Sequence, residues 1–173
     1  VHDMVEFYGV NIFLAETSST TGGLDSLLDP HGPIRDACIQ AADCFGSEHT
    51  FFSTNGTSTS NKIIMQALAG PGDIALVDRN CHTSHHHGFI QTGALPLYLD
   101  AYRVDEHMIY GAVPLASIKR ALLELKKHGR LDKVKVVILT NCTFDGIVYH
   151  PINVMKELLA IKPDLAFLWD EAW

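Results

Sequence analysis

The sequence predicts a three-layer α/β/α protein built on a mostly parallel sheet. Three observations carry this expectation: four apolar runs at 74–77, 95–99, 134–139 (broken only by Lys135) and 165–169, helical stretches between them, and Gly, Pro or charged breaks at the junctions. Strands buried on both faces read as continuous apolar runs, whereas a sheet with one wet face alternates apolar and polar residues. Strand and helix alternating at short intervals imply right-handed βαβ units. Ligands in such sheets sit at the carboxyl ends of the strands, so the residues after each apolar run are the ones that matter for function.

Residues 5–14 are apolar enough for a strand or a short helix, and 18–23 form a hydroxyl and glycine loop. Asp29-Pro-His-Gly-Pro33 is turn chemistry, with Pro33 suited to the first position of a helix. In that helix Ile34, Ala37, Cys38, Ala41 and Phe45 share one face, which predicts a packing surface, and Gly46 is the stop. The expected division is 1–48 as a leading segment and helix, and 49–173 as the large domain.

The stretch 49–62, His-Thr-Phe-Phe-Ser-Thr-Asn-Gly-Thr-Ser-Thr-Ser-Asn-Lys, reads as strand, tight turn and helix. Its first half is β-branched and aromatic, as a buried strand is, and its second half opens into the apolar run 63–68. The first N–H groups of a helix have no intrahelical partner, and the helix dipole adds partial positive charge there. Gly56 lets the backbone approach a ligand, and Thr57, Ser58 and Thr59 add hydroxyls, so an anion such as phosphate fits the turn. Simple N-capping explains the same hydroxyls equally well. Neither a Walker loop nor Gly-x-Gly-x-x-Gly is present.

Beyond it come a helix to about residue 69, the break Gly70-Pro-Gly-Asp73, a strand ending at Asp78, and a helical stretch over 83–92. After the strand 95–99 a linker runs to Pro114. The helix 115–128 follows, with Leu115, Ile118, Leu122 and Leu125 as its apolar stripe and Gly129 as its stop. A loop over 140–150 and a helix over 151–161 separate the last two strands.

The totals narrow the partners. A chain of 173 residues, 47% hydrophobic, has the size of one domain. A net charge of -7 with no basic run argues against nucleic acid and acidic membranes and for small molecules. Cys38, Cys44, Cys81 and Cys142 show no Cys-x-x-Cys spacing and read as reduced thiols in a cytoplasmic protein. No stretch has the length of a membrane span, and the start lacks the pattern of a signal peptide. The chain begins with Val and ends on a strand, so both ends read as cut.

The strand ends carry 53–60, 78–82, 140–145 and 170–173. Asp170, a carboxylate directly after a buried strand, needs a cationic partner, serves one, or caps a helix. His82 is either a structural hydrogen-bonder or a flat face for an aromatic ligand. His85, His86 and His87 do not converge on one ion, because consecutive helical residues point about 100° apart. Only His82 and His86, at i and i+4, share a face, which leaves a metal-dependent hydrolase using them with Asp170 as one rival reading. Combined, the strand ends suit one ligand: phosphate at 57–59, an aromatic ring under His82, and a protonated ring nitrogen on Asp170. Pyridoxal 5'-phosphate (PLP) has those three parts.

The segments Thr54-Asn-Gly-Thr-Ser-Thr-Ser-Asn-Lys62, Asp78-Arg-Asn-Cys-His-Thr-Ser84, Thr140-Asn-Cys-Thr-Phe-Asp-Gly146 and Asp170-Glu-Ala-Trp173 closely resemble the major domain of the bacterial Orn/Lys/Arg decarboxylases. The similarity extends back to Leu24-Asp-Ser-Leu-Leu-Asp-Pro-His-Gly-Pro33 and so covers nearly the whole chain. It implies the aspartate-aminotransferase-like large domain of fold type I PLP enzymes, here incomplete. It also implies decarboxylation of lysine, ornithine or arginine, PLP as cofactor, no metal, and a homo-oligomer. By motif position, Gly56, Thr57 and Ser58 hold the phosphate, His82 stacks on the ring, Asp170 pairs with the ring nitrogen, and Ala172 packs on the other face. Thr143 and Trp173 border cofactor or substrate.

The resemblance places the Schiff-base lysine in a Ser/Thr-x-His-Lys-type motif beyond residue 173. None of the eight lysines is placed to replace it, including Lys62 inside the phosphate helix. The chain is therefore expected to be the N-terminal part of such a domain and inactive alone. An aminotransferase, a lyase and a non-catalytic PLP-fold protein are the alternatives on the same scaffold.

Overall fold

The computed structural model describes residues 2–15 and 25–172. The loop expected at 18–23 and the candidate Trp173 lie outside the described residues. The chain divides into two compact units, Val1–Thr54 and Asn55–Trp173.

In the first unit the apolar stretch 5–14 is helical, forming α1 (His2–Tyr8) and α2 (Asn11–Leu14). Helix α3 (Pro33–Phe45) begins on the expected proline and ends at Gly46, whose φ of 67° is one that side chains disfavour. Its expected packing face is thinly covered: Ala42 is its one buried residue, and Phe45 is 83% exposed. Asp25 organises the turn before α3. Its Oδ1 accepts the N–H groups of Ser26 (2.9 Å) and His31 (2.8 Å), and its Oδ2 those of Gly32 (2.8 Å), Ile34 (3.0 Å) and Arg35 (3.3 Å). Five donors favour the ionised form, led by His31, so its carboxyl lies well below the usual carboxylate range.

The strand expected at 49–53 does not form. This segment is irregular, with Phe51 87% exposed. β-propensity describes side chains that suit a pleated, half-buried surface, and a strand also needs a neighbour for its N–H and C=O groups. Among the described residues no strand pairs with it.

The second unit is the expected α/β/α layering. Helix α4 (Thr57–Leu68) leads to β1 (Ile74–Asp78), α5 (Thr83–Thr92) and β2 (Leu95–Leu99). After a two-stranded hairpin, β3 (Arg103–Val104) with β4 (Ile109–Tyr110), come α6 (Leu115–Lys127), β5 (Val134–Thr140), α7 (Pro151–Leu159) and β6 (Ala166–Asp170). The hairpin occupies what the sequence presented as linker, because strands of two residues are too short to show a period. The main sheet is parallel throughout, in the order β2-β1-β5-β6.

Two buried clusters fill the faces of this sheet. Ile74, Leu76, Val137 and Leu139 pack with Ile118 and Leu122 of α6 and Val154 and Leu158 of α7. Ala75, Val77, Val136 and Ile138 pack with Met65 of α4 and Phe89 of α5. Alternate residues of one strand thus serve opposite layers. Helices α4 and α5 lie close because Gly88 has no side chain: a Cβ there would sit 3.1 Å from Met65 Cγ. The chain leaves β1 toward β2 and later returns on its other side as β5, so the crevice where the direction reverses opens at the carboxyl ends of β1 and β5. No helix among the described residues is long and apolar enough to cross a membrane.

Asp25 gives a test with a definite sign. A carboxylate with a lowered folded pKa stabilises the fold above its unfolded pKa of about 3.9, and that contribution fades as pH falls through the folded value. Asp25→Asn is expected to melt at lower temperature than the parent at pH 7, with the difference shrinking below about pH 4. A difference that stays constant from pH 7 into acid would contradict the role assigned to this carboxylate.

Candidate functional site

At the start of α4, Gly56 adopts φ 73° and ψ 173°, a conformation essentially reserved for glycine. This bend leaves the N–H groups of Thr57 and Ser58 without an acceptor among the described residues, while Thr59 N–H returns to Gly56 O at 3.0 Å. The Thr59 hydroxyl donates to Asn55 O at 3.3 Å. Thr57 and Ser58 are therefore the two members of the hydroxyl run that face outward from the helix end, in a concavity of ≈ 100 Å³ lined also by Asn61, His82, Thr140, Asp170 and Ala172.

Asp170 ends β6, paired in register with Thr140 of β5, and is 3% exposed. Its Oδ2 accepts two hydrogen bonds, from Asn61 Nδ2 and from His85 Nε2, each 3.0 Å long. Its Oδ1 is buried and has no partner among the described residues. The His85 hydrogen bond is the largest influence on this carboxyl and lowers its pKa; burial opposes it, and Asn61 reinforces it. The Ala172 N–H adds a smaller pull in the same direction, too loosely placed to count as a hydrogen bond to Oδ1, and the group is an anion at neutral pH.

His82 caps α5, its Nδ1 accepting the Ser84 N–H at 3.2 Å. The same nitrogen lies 2.9 Å from Ser84 Oγ, which accepts from Asn61 Nδ2 at 3.1 Å. Because Nδ1 already accepts the Ser84 N–H it carries no hydrogen of its own, so the Ser84 hydroxyl donates to it. The ring proton of neutral His82 then sits on Nε2. A helix end with unpaired N–H groups, an oriented imidazole and a buried carboxylate thus line one crevice, a combination suited to an anion beside a protonated ring.

A family model described as "Orn/Lys/Arg decarboxylase, major domain" matches residues 2–173. The chain belongs to this family. It is 41% identical over 97% of its length to lysine decarboxylase LdcA of Pseudomonas aeruginosa, covering 23% of that protein. It is 35% identical over 98% of its length to ornithine decarboxylase of Haemophilus influenzae, covering 24% of it. The structure of the constitutive lysine decarboxylase of Escherichia coli superposes with a TM-score of 0.82 at 32% identity, over 99% of this chain and 24% of that one. The chain thus spans about a quarter of the length of the relatives it matches. The resemblance read from the four motifs is borne out, as is the fold expected from it.

Among the other sequence-predicted residues of this decarboxylase-family chain, Ala172 is exposed at the rim of the crevice. Thr143 is not in the lining: its Oγ1 accepts the Ile147 N–H at 3.0 Å within its own turn. His86 turns away, sharing a hydrogen bond with Tyr98 Oη at 3.0 Å. The geometry gives the metal alternative no support. His82, His86 and Asp170 do not bring ligand atoms within 4.8 Å of one another; among the described residues only the exposed His2, Asp3 and Glu6 do so.

Asn61 and His85 were missed in the sequence. His85 had a signal, since Gly88, Phe89 and Thr92 at i+3, i+4 and i+7 place it on the core face of α5. Asn61 lies one turn after Thr57 on α4 and is 3% exposed, and its role depends on contacts 23 and 109 residues away.

A larger concavity, ≈ 470 Å³, lies beside Asp78, Arg79, Asn80, Asp100, Ala101, Arg103 and Tyr110. Its cations are already paired, Arg79 with Asp100 and Arg103 with Asp105, both at 2.8 Å. Burial pushes the Asp78 carboxyl up, toward its neutral form. The smaller crevice carries the stronger chemistry because its free oxygen belongs to a stabilised anion.

Cys81, between the two aspartates, is pushed up to about 12 by burial first and then by the charges of Asp78 and Asp170. It is no nucleophile at neutral pH. At pH 8.5 its alkylation by iodoacetamide, followed by peptide mass spectrometry, is expected to be on the order of a thousandfold slower than that of an unperturbed thiol. Labelling at an ordinary thiol's rate in the folded protein would contradict this environment.

Proposed function

We propose that this chain supplies the cofactor-holding part of a PLP-dependent decarboxylase acting on lysine, ornithine or arginine. The observation that carries the proposal is Asp170: a buried carboxylate, ionised through His85 and Asn61, that lines a crevice at a helix N-terminus and keeps Oδ1 without a hydrogen-bond partner among the described residues. The relatives at 31–41% identity are named lysine, ornithine and arginine decarboxylases, which supports this reading over an aminotransferase or another lyase.

PLP, when bound, supplies an electron sink for the charge left at the substrate's Cα as CO2 departs. The residues of this chain bind and orient it. Thr57 and Ser58 offer two N–H groups and two hydroxyls to the phosphate, with Gly56 allowing the close backbone approach. Asp170 Oδ1 accepts the ring N–H and, as an anion, keeps that proton on the ring. His82 provides a flat face with its Nε2–H directed by the Ser84 bond, and Ala172 leaves room on the opposite side. In this reading 1–48 leads into a large domain that begins at 49, Thr143 and Trp173 lie nearer the substrate, and the complete protein is a cytoplasmic homo-oligomer.

The test is to supply the complete polypeptide carrying these residues with PLP and to measure CO2 release from lysine, ornithine and arginine. Turnover of at least one is expected. His82→Ala should weaken PLP binding about tenfold, the worth of one stacking contact of about 1.4 kcal/mol, while His86→Ala leaves it within about twofold. No CO2 from any of the three, or equal losses from both histidine variants, would contradict the proposal.

A further inference from the structure

Two groups face the proposed ring site from different elements, Asp170 from β6 and His82 from the start of α5, and a single side chain joins them. Asn61 Nδ2 lies 3.0 Å from Asp170 Oδ2 and 3.1 Å from Ser84 Oγ. An amide nitrogen has two hydrogens, so both are engaged and each has one acceptor. The hydrogen bonds therefore run in one direction, from Asn61 to Ser84 to His82 Nδ1, and separately from Asn61 to Asp170. At 3% exposure the amide is shielded from competing water.

We infer that Asn61 is a positioning residue that ties the ring-nitrogen partner Asp170 and the ring-facing His82 into one hydrogen-bonded unit. This deepens the PLP reading and rests on it. By donating to Oδ2, Asn61 and His85 leave Oδ1 as the oxygen without a hydrogen-bond partner among the described residues. The Ser84 backbone N–H already makes His82 Nδ1 an acceptor, so the serine hydrogen goes to that nitrogen, and by donating to Ser84 Oγ Asn61 orients the hydroxyl that meets it. Asn61 also lies four residues after Thr57 on the helix whose N-terminus is proposed to hold the phosphate. The three parts of the site thus share one anchor.

The identity of the residue is tightly constrained. Aspartate at this position would set an acceptor against Asp170 Oδ2, and leucine of similar size would remove both donors. The ionisable groups on the elements around Asp170 are His82, His85, His86 and His87 with α5, Cys81 before it, Lys62 on α4, Asp78 at the end of β1, and Glu171 beside it. Of these, His85 bonds the carboxylate directly.

The experiment titrates PLP into the cofactor-free full-length protein across pH, for the parent, Asn61→Leu and Ser84→Ala. Removing one donor raises the Asp170 pKa, so the carboxylate protonates, and the ring is released, at higher pH. For Asn61→Leu the expected result is about tenfold weaker PLP binding at pH 7.5 and an acid limb of binding displaced upward by about one pH unit. Ser84→Ala leaves the Asn61–Asp170 bond in place and is expected to weaken PLP about threefold with an unmoved acid limb. Asn61→Gln, which keeps an amide donor, should restore part of the displacement.

An Asn61→Leu protein that melts lower but keeps the parent's acid limb would overturn the inference and leave Asn61 a structural residue. Should Asn61→Leu fail to fold, an acid limb displaced in Ser84→Ala as far as in His85→Leu would overturn it too, because the Ser84 and Asp170 arms would then not be separate. A parent protein that takes up no PLP at any pH would instead overturn the PLP reading, and the inference with it.

Discussion

The structure of the site depends on one constraint: a carboxylate taken out of water at the end of a buried strand must find donors inside the protein. Asp170 finds them on two helices rather than on its own sheet. Asn61 comes from α4 and His85 from α5, so the two helices must lie side by side over the sheet with both side chains turned inward. Gly88 permits that approach, and Met65, Val77 and Phe89 hold it by apolar packing. A hydrogen bond to a charged group is worth about 1.5–3 kcal/mol, so the layer packing and the ionisation of Asp170 support each other.

The same carboxylate orders its surroundings electrostatically. Donors lower the Asp170 pKa, whereas Asp78, with a single backbone donor from Asn80, is raised by burial. Two acidic side chains at the ends of β1 and β6, with β5 between those strands, are thereby pushed apart, Asp78 toward its neutral form and Asp170 toward its anion. Cys81 is pushed up to about 12 by burial first and then by the charges of both, so its thiol stays protonated at neutral pH. What remains is an anion whose Oδ1 has no hydrogen-bond partner among the described residues, lining one crevice with a helix end whose Thr57 and Ser58 N–H groups have no acceptor among them.

Much of this was legible in the sequence because the determinants were local. Apolar runs marked the four parallel strands, Pro33 and Gly46 bounded α3, and the hydroxyl turn and the ends of β1 and β6 contained Thr57, Ser58, His82 and Asp170, which line the crevice. What was illegible depended on partners distant in sequence. The run 49–53 has strand-forming side chains but no pairing neighbour among the described residues, and the β3–β4 hairpin is too short to have a period. His85 was set aside with its two neighbours as unsuited to metal, although its spacing to Phe89 marked it as a core residue. Asn61 looked like one more polar residue in a hydroxyl-rich turn, and only the α4–α5 contact reveals its two acceptors.

The central claim is that Asp170, held as an anion by His85 and Asn61, keeps a cofactor ring nitrogen protonated. The most direct measurement is the 15N chemical shift of that nitrogen in full-length protein reconstituted with ring-15N PLP, recorded between pH 6 and 9. A shift characteristic of a protonated pyridine nitrogen across this range, moving toward the neutral value in Asp170→Asn, is the predicted result. A neutral ring nitrogen in the parent protein, or a shift indifferent to Asp170→Asn, would contradict the account.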